Sequence, residues 1–166
     1  AGGAQASWDQ YVDQCFRLGR LEQAIQNAEG SVYGLMSGQY PDGGWRWYPP
    51  YGDKHWLLWW KPTVIGTSTS SLAELLKLAR ILRHPEAKQA GLKGLQFFDE
   101  NFGPGNTTDP VPRGAQVWEV PQHCPDGYAA GLASQCYIEG YRLTGNTNYL
   151  NKAVYWAKAM LPFNVF

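Results

Sequence analysis

Apolar residues along this chain return mostly at three- and four-residue steps, the period of an amphipathic helix. Trp8, Tyr11, Cys15, Leu18, Ile25 and Ala28 form one stripe, with Ser7 placed to cap it. That helix is expected to run on through Val32 to Met36, with Gly30 and Gly34 as places where it can break. A second helix follows the polar run Thr67-Ser68-Thr69-Ser70-Ser71, which offers caps, and carries Leu72, Leu75, Leu76, Ala79 and Leu82. It stops at His84-Pro85, because the residue before a proline avoids the helical region. Pro85 and Glu86 suit the first turn of a third helix with Gly91, Leu95, Phe98 and Phe102 on one stripe. Asp126 opens a fourth helix that runs through Leu143 and ends at Gly145, and Thr147 or Asn148 starts a fifth through Leu150, Ala153, Ala157 and Met160. No segment alternates with the period of a strand, so the expected fold class is all-α.

The connections divide into two kinds. Helices two and three, and four and five, are joined by tight turns at His84-Pro85 and Thr144-Gly145-Asn146. About 27 residues separate helices one and two and about 22 separate three and four, lengths that in compact domains are usually functional or disordered. Alternating long and short connections between antiparallel helices put both long ones at one end, leading into the N-termini of helices two and four. The fourth helix has one charged residue, Glu139, between Gly127 and Tyr141, and many small ones, as expected of a helix buried on several sides. The third, with Glu86, Lys88, Lys93, Asp99 and Glu100, reads as one-sided and outer. The resulting outer–inner–outer–inner–outer series is the layout of antiparallel hairpins in an arc of an (α/α) toroid, and a plain five-helix bundle is the alternative. Residues 1–166 are expected to form one helical domain, part of a larger toroid. Leu161-Pro162-Phe163-Asn164-Val165-Phe166 reads as an interrupted apolar tail, and an open arc exposes inner helices. Self-association, or the remainder of a longer chain, is therefore expected to cover it.

Composition narrows the function. Fourteen Lys+Arg balance fourteen Asp+Glu, which argues against nucleic acid or an anionic membrane as the main partner. No apolar run reaches the roughly 20 residues of a membrane span. Three cysteines are too few, and odd in number, for a disulfide scaffold. Aromatic residues reach 14%, and their placement is uneven: Trp45, Trp47, Trp56, Trp59 and Trp60 lie in one connection with Tyr40, Tyr48 and Tyr51, among Asp42, Arg46, Asp53, Lys54 and His55. Flat rings beside hydrogen-bonding groups suit the apolar faces and polar rims of sugars. The plainer use of the same rings is to plug one end of the bundle.

Within that connection, Gln39-Tyr40-Pro41-Asp42-Gly43-Gly44-Trp45 reads as a tight turn: Gly43-Gly44 permits positive φ, Asp42 can accept from amides two residues on, and Trp45 anchors it on the helices. The segment resembles the Gln-x-x-Asp-Gly-Gly/Ser-Trp turn of α/α-toroid proteins, among them terpene cyclases, prenyltransferases, family 10 pectate lyases and several glycoside hydrolase and lyase groups. Thr144-Gly145-Asn146-Thr147-Asn148-Tyr149-Leu150, followed by Ala153 and Trp156-Ala157, likewise resembles the hairpin repeat of carbohydrate-active toroids. The cyclases' Asp-rich acid motif is absent, which makes a terpene-cyclase-like toroid the weaker branch. The resemblance implies a glycan-binding protein with hydrolase or lyase chemistry, periplasmic or secreted. The alternative is a non-catalytic helical-repeat module binding glycan or protein.

The second long connection ends in Trp118-Glu119-Val120-Pro121-Gln122-His123-Cys124-Pro125-Asp126, at the mouth of the most buried helix. Glu119 beside Trp118 suits a general acid of raised pKa, Asp126 at a helix start is favoured as an anion, and His123 lies between them. Inverting hydrolysis needs such an acid and a base roughly 6.5–9.5 Å apart. The candidate catalytic residues are thus Glu119, Asp126 and His123, and the candidate substrate-binding residues Asp42, Trp45, Trp47, Tyr48, Trp56 and Trp118. The bland roles are a helix cap for Asp126, loop bonds for Glu119 and a bracing donor for His123. Glu119, His123 and Asp126 match no familiar metal-ligand spacing, and no dinucleotide or phosphate-loop fingerprint occurs, so no metal or cofactor is expected.

Overall fold

The computed structural model describes residues 14–15, 17–45, 65–102 and 127–161. Its main helices are α1 (Leu21–Ser37), α2 (Ile65–Ile81), α3 (Pro85–Phe102), α4 (Gly127–Thr144) and α5 (Asn148–Met160). Among the described residues there is no strand, and the all-α expectation of about five helices holds.

Two helix starts differ from the sequence reading. The first stripe is broken at Gly19, which takes φ +67°, and Arg20 N–H closes the preceding turn on Cys15 O at 2.7 Å. The break resets the helical phase: α1 buries Ala24, Ala28 and Val32 and leaves Ile25 exposed, and Leu18 before the break is exposed too. It then runs unbroken through Gly30 and Gly34. The polar run before Leu72 is not a cap but the opening of α2 itself. Ser68 and Thr69 are buried there, their hydroxyls donating to Trp45 O (3.3 Å) and Gly66 O (3.3 Å). A hydroxyl that bonds back into its own turn can enter a helix without stranding a polar group.

The α2–α3 and α4–α5 pairs are antiparallel hairpins. Leu76 seats against Gly91 and Leu72 against Gly94, so closely that a Cβ on either glycine would stand 2.7 Å from a leucine methyl. In the second hairpin Ser134 Oγ donates to Ala153 O at 3.0 Å, while Gly131 faces Met160 and Gly140 faces Tyr149. The hairpins join through α2 and α4. Cys136 Sγ donates to Thr69 O (3.2 Å), and further along both helices Arg80 meets Glu139, so these two helices run parallel. Both are buried on more than one face, with α1 and α3 packed on α2, and α5 on α4. This is the expected layering of two inner and three outer helices. The leucines of α2 and the small residues of α4 explain it, since alanine and glycine let helix axes approach while each buried leucine contributes about 1.5–3 kcal/mol.

An aromatic cluster ties the outer α3 and α5 to the inner α4. Phe98 of α3 lies 5.9 Å from Tyr137 of α4 and 5.6 Å from Trp156 of α5, ring centre to ring centre. Such tilted and edge-on pairs contribute about 0.5–1.5 kcal/mol each beyond burial.

Because α2 and α4 are parallel, their N-termini share one end of the molecule. The C-terminus of α3 shares it too, since α3 runs against α2, and so does Trp45, whose carbonyl accepts from Ser68. All four points at which residues 46–64 and 103–126 join the helices therefore lie at that end.

Candidate functional site

The Gln39–Trp45 segment is built as a strap along α3. Gln39 Nε2 donates to Ala90 O and to Gly43 O, each at 2.9 Å, which fixes the strap's start to α3 and folds its middle back on itself. Tyr40 N–H donates to Gly44 O (2.9 Å) and Gly43 N–H to Tyr40 O (2.8 Å). Asp42 Oδ1 accepts from Gly44 N–H at 3.1 Å, the bond the sequence predicts. Gly43 takes φ +98°, and a Cβ there would stand 2.6 Å from Lys93 O. At Gly44 it would stand 2.5 Å from the Phe97 ring. Both positions therefore require glycine, one for conformation and space, the other for space alone.

Trp45 ends the strap. Its indole is 6% exposed, its Nε1 donates to Leu35 O at 3.0 Å, and its ring packs toward Gly94 and Gly38. A ring in that position has neither face open to a sugar. The indole proposed as a stacking platform is therefore a packing anchor that joins α1, α2 and α3. Asp42 is exposed at the strap's surface, with one carboxylate oxygen committed to the turn. Trp47, Tyr48, Trp56, Trp118, Glu119, His123 and Asp126 lie outside the described residues. Of the candidate site, the structure thus places Asp42 and Trp45 together, on one turn.

Two clusters of polar side chains join the helices among the described residues. In the first, Glu139, 3% exposed, accepts from Arg80 Nε (2.8 Å) on one oxygen and from Arg142 Nη1 (2.7 Å) on the other. Glu139 stood out in the sequence as the one charge between Gly127 and Tyr141. Its partners did not, because Arg80 is fifty-nine residues away in sequence. In the second, Tyr137 Oη donates to Asp99 Oδ1 at 2.5 Å, while Lys152 Nζ reaches Asp99 Oδ2 at 2.6 Å. Burial, and after it the Asp99 charge, pushes the Tyr137 phenol well above the usual tyrosine range, and burial does the same to the Cys136 thiol. A phenol held neutral this way serves as a hydrogen-bond donor, and a thiol held neutral is a poor nucleophile. Both clusters brace helix contacts: the first joins α2 to α4, the second α3, α4 and α5. Among the described residues no three His, Cys, Asp or Glu side chains gather to hold a metal ion, and no helix is long and apolar enough to cross a membrane.

Compared with known proteins, the chain matches no family model, no curated protein and no solved structure.

Proposed function

We propose that this chain is an arc of an α/α toroid from a carbohydrate-active protein, whose two long connections meet over a glycan. The observation that supports this reading is the common end shared by Trp45, Ile65, Phe102 and Gly127, which tethers the segment rich in indoles and the segment rich in carboxylates to one rim. The chemistry proposed there is cleavage of a glycosidic bond by hydrolysis or elimination, with Glu119 as acid, Asp126 as its partner and His123 beside them. Trp47, Tyr48, Trp56 and Trp118 would supply the stacking surfaces.

A panel of oligosaccharides tests it by tryptophan fluorescence and product analysis together. Saturable quenching with new reducing ends or unsaturated products is the expected result, and Glu119→Gln with Asp126→Asn should abolish the products while sparing the quenching. Quenching without products would leave the non-catalytic module. No response to any sugar would overturn the reading. A further part of the proposal concerns the α4–α5 edge, where Tyr128, Leu150, Val154 and Leu161 are exposed. Leu150 and Val154 of α5, with Leu161 just past its end, repeat at helical spacing, and they form an apolar border suited to another hairpin, from a second copy or from a longer chain. Light scattering at micromolar concentration should show association, and a clean monomer would refute it.

A further inference from the structure

The end of the bundle opposite that rim, where the hairpin turns lie, holds a cleft of about 360 Å³. Arg80 and Arg83 reach it from the end of α2, Lys88 from the start of α3 and Arg142 from the end of α4, with Pro85 and Leu143 as apolar wall. Arg80 and Arg142 have an evident structural role, since each binds Glu139 and each sits where a helix C-terminus favours a cation. Glu139 occupies one Arg80 nitrogen and one Arg142 nitrogen, holding both guanidinium groups in place with their remaining N–H groups uncommitted to it.

Arg83 and Lys88 have no such explanation. Their side chains bond to no described residue, and in a chain of zero net charge they add two cations to a place that already holds two. Counting Glu139, and Glu86 beside His84, the cleft keeps a surplus of two positive charges. Arg83 also sits at φ +52°, a left-handed position that glycine fills far more cheaply. The matching turn of the second hairpin does use glycine, Gly145 at φ +75°. A strained, charged residue where the fold's own counterpart is glycine points to a use for the side chain.

We infer that this cleft binds a phosphate or sulfate monoester: the oxyanion sits among Arg80, Arg83, Lys88 and Arg142, and the organic group lies against Pro85 and Leu143. Planar guanidinium groups match the oxygens of such an anion in pairs, and Lys88 adds a point charge. The volume lies at the lower end of the roughly 300–1,000 Å³ of small-molecule sites, and the apolar wall favours an ester over the free ion.

Titration calorimetry of the whole chain with phenyl phosphate, phenyl sulfate and inorganic phosphate, at fixed ionic strength in chloride, tests this. Saturable one-to-one binding of the esters, at least threefold tighter than inorganic phosphate, is the expected result. Equal affinity for ester and free phosphate overturns the ester assignment. Arg83→Gly and Lys88→Gln should each weaken the ester about three- to tenfold, as charge-assisted bonds from partly exposed groups do. Lys158→Gln, which removes the same charge from α5, should leave it unchanged. The inference fails if the Arg83→Gly/Lys88→Gln double variant, folded by circular dichroism, binds as the parent does, or if Lys158→Gln weakens binding equally.

Discussion

Replacing Gly43 or Gly44 by alanine isolates what the strap does. At Gly43 an alanine must hold φ +98°, which costs an L-residue about 1–2 kcal/mol. Its Cβ would also stand 2.6 Å from Lys93 O, a helix backbone atom that moves only if α3 moves, and overpacking of this kind costs about 1–3 kcal/mol. The smaller entropy of the unfolded alanine chain returns about 0.4–1 kcal/mol. The net is a loss of about 1–5 kcal/mol. At Gly44 no positive φ is involved, but a Cβ would meet three atoms of the buried Phe97 ring within 2.9 Å, for a net loss of about 1–2 kcal/mol. Gly30 offers the control, because nothing lies within 4 Å of a Cβ there and its place in α1 makes alanine stabilising by about 0.5–1 kcal/mol. Urea titrations of the three variants should therefore rank Gly30→Ala above wild type, then Gly44→Ala, then Gly43→Ala. In thermal melts each kcal/mol moves the midpoint of a chain this size by about 2–4 °C. If Gly43→Ala and Gly44→Ala both stay within 0.5 kcal/mol of wild type, the close approach of strap and helix is wrong. If they keep their stability and lose saccharide response, the strap belongs to the binding site and not to the frame.

Two other perturbations follow from the buried polar groups. Glu139→Gln removes the charge between Arg80 and Arg142, whose side chains are 34% and 55% exposed and can turn to water, so the loss should be about 1–3 kcal/mol by urea titration, below that of a fully buried pair. The raised Tyr137 and Cys136 groups make stability fall with alkali. The unfolded chain releases these protons from about pH 8.5 for the thiol and pH 10 for the phenol, while the folded chain retains them. Each contributes a slope of about −1.4 kcal/mol per pH unit above its own threshold. Tyr137→Phe should thus be less stable than wild type at pH 8, through loss of the bond to Asp99, and fall less steeply above pH 10. Parallel pH profiles would contradict that account.

Much of this frame was legible in the chain itself. The leucines of α2 and the Gly91, Leu95 and Phe98 stripe of α3 are buried as their spacing implies, because each helix has a dominant face that periodicity reads directly. The alternation of long and short connections foretold that the segments before α2 and α4 attach at one end. The phase of the first helix was not legible, since Gly19 and not Gly30 or Gly34 takes the left-handed turn, and only the packing of α1 on α2 distinguishes them. Trp45 shows a related limit. Sequence marks an indole as a binding platform or an anchor equally well, and its bond to Leu35 O decides in favour of the anchor. The Arg80–Glu139 bridge and the basic cleft were illegible for a different reason, as they join residues whose distance along the chain carries no periodic signal.

The leucine sockets at Gly91 and Gly94 have a consequence for how this chain tolerates changes of length. One residue inserted in α2 between Leu72 and Leu76, or in α3 between Gly91 and Gly94, would swing everything beyond it by about 100° and lift a methyl group out of its seat. The same insertion between Trp45 and Ile65, or between Phe102 and Gly127, leaves every socket filled. Natural variants that gain or lose residues should accumulate in those two intervals and be purged from the hairpins, so the connections can change length while the scaffold keeps its register.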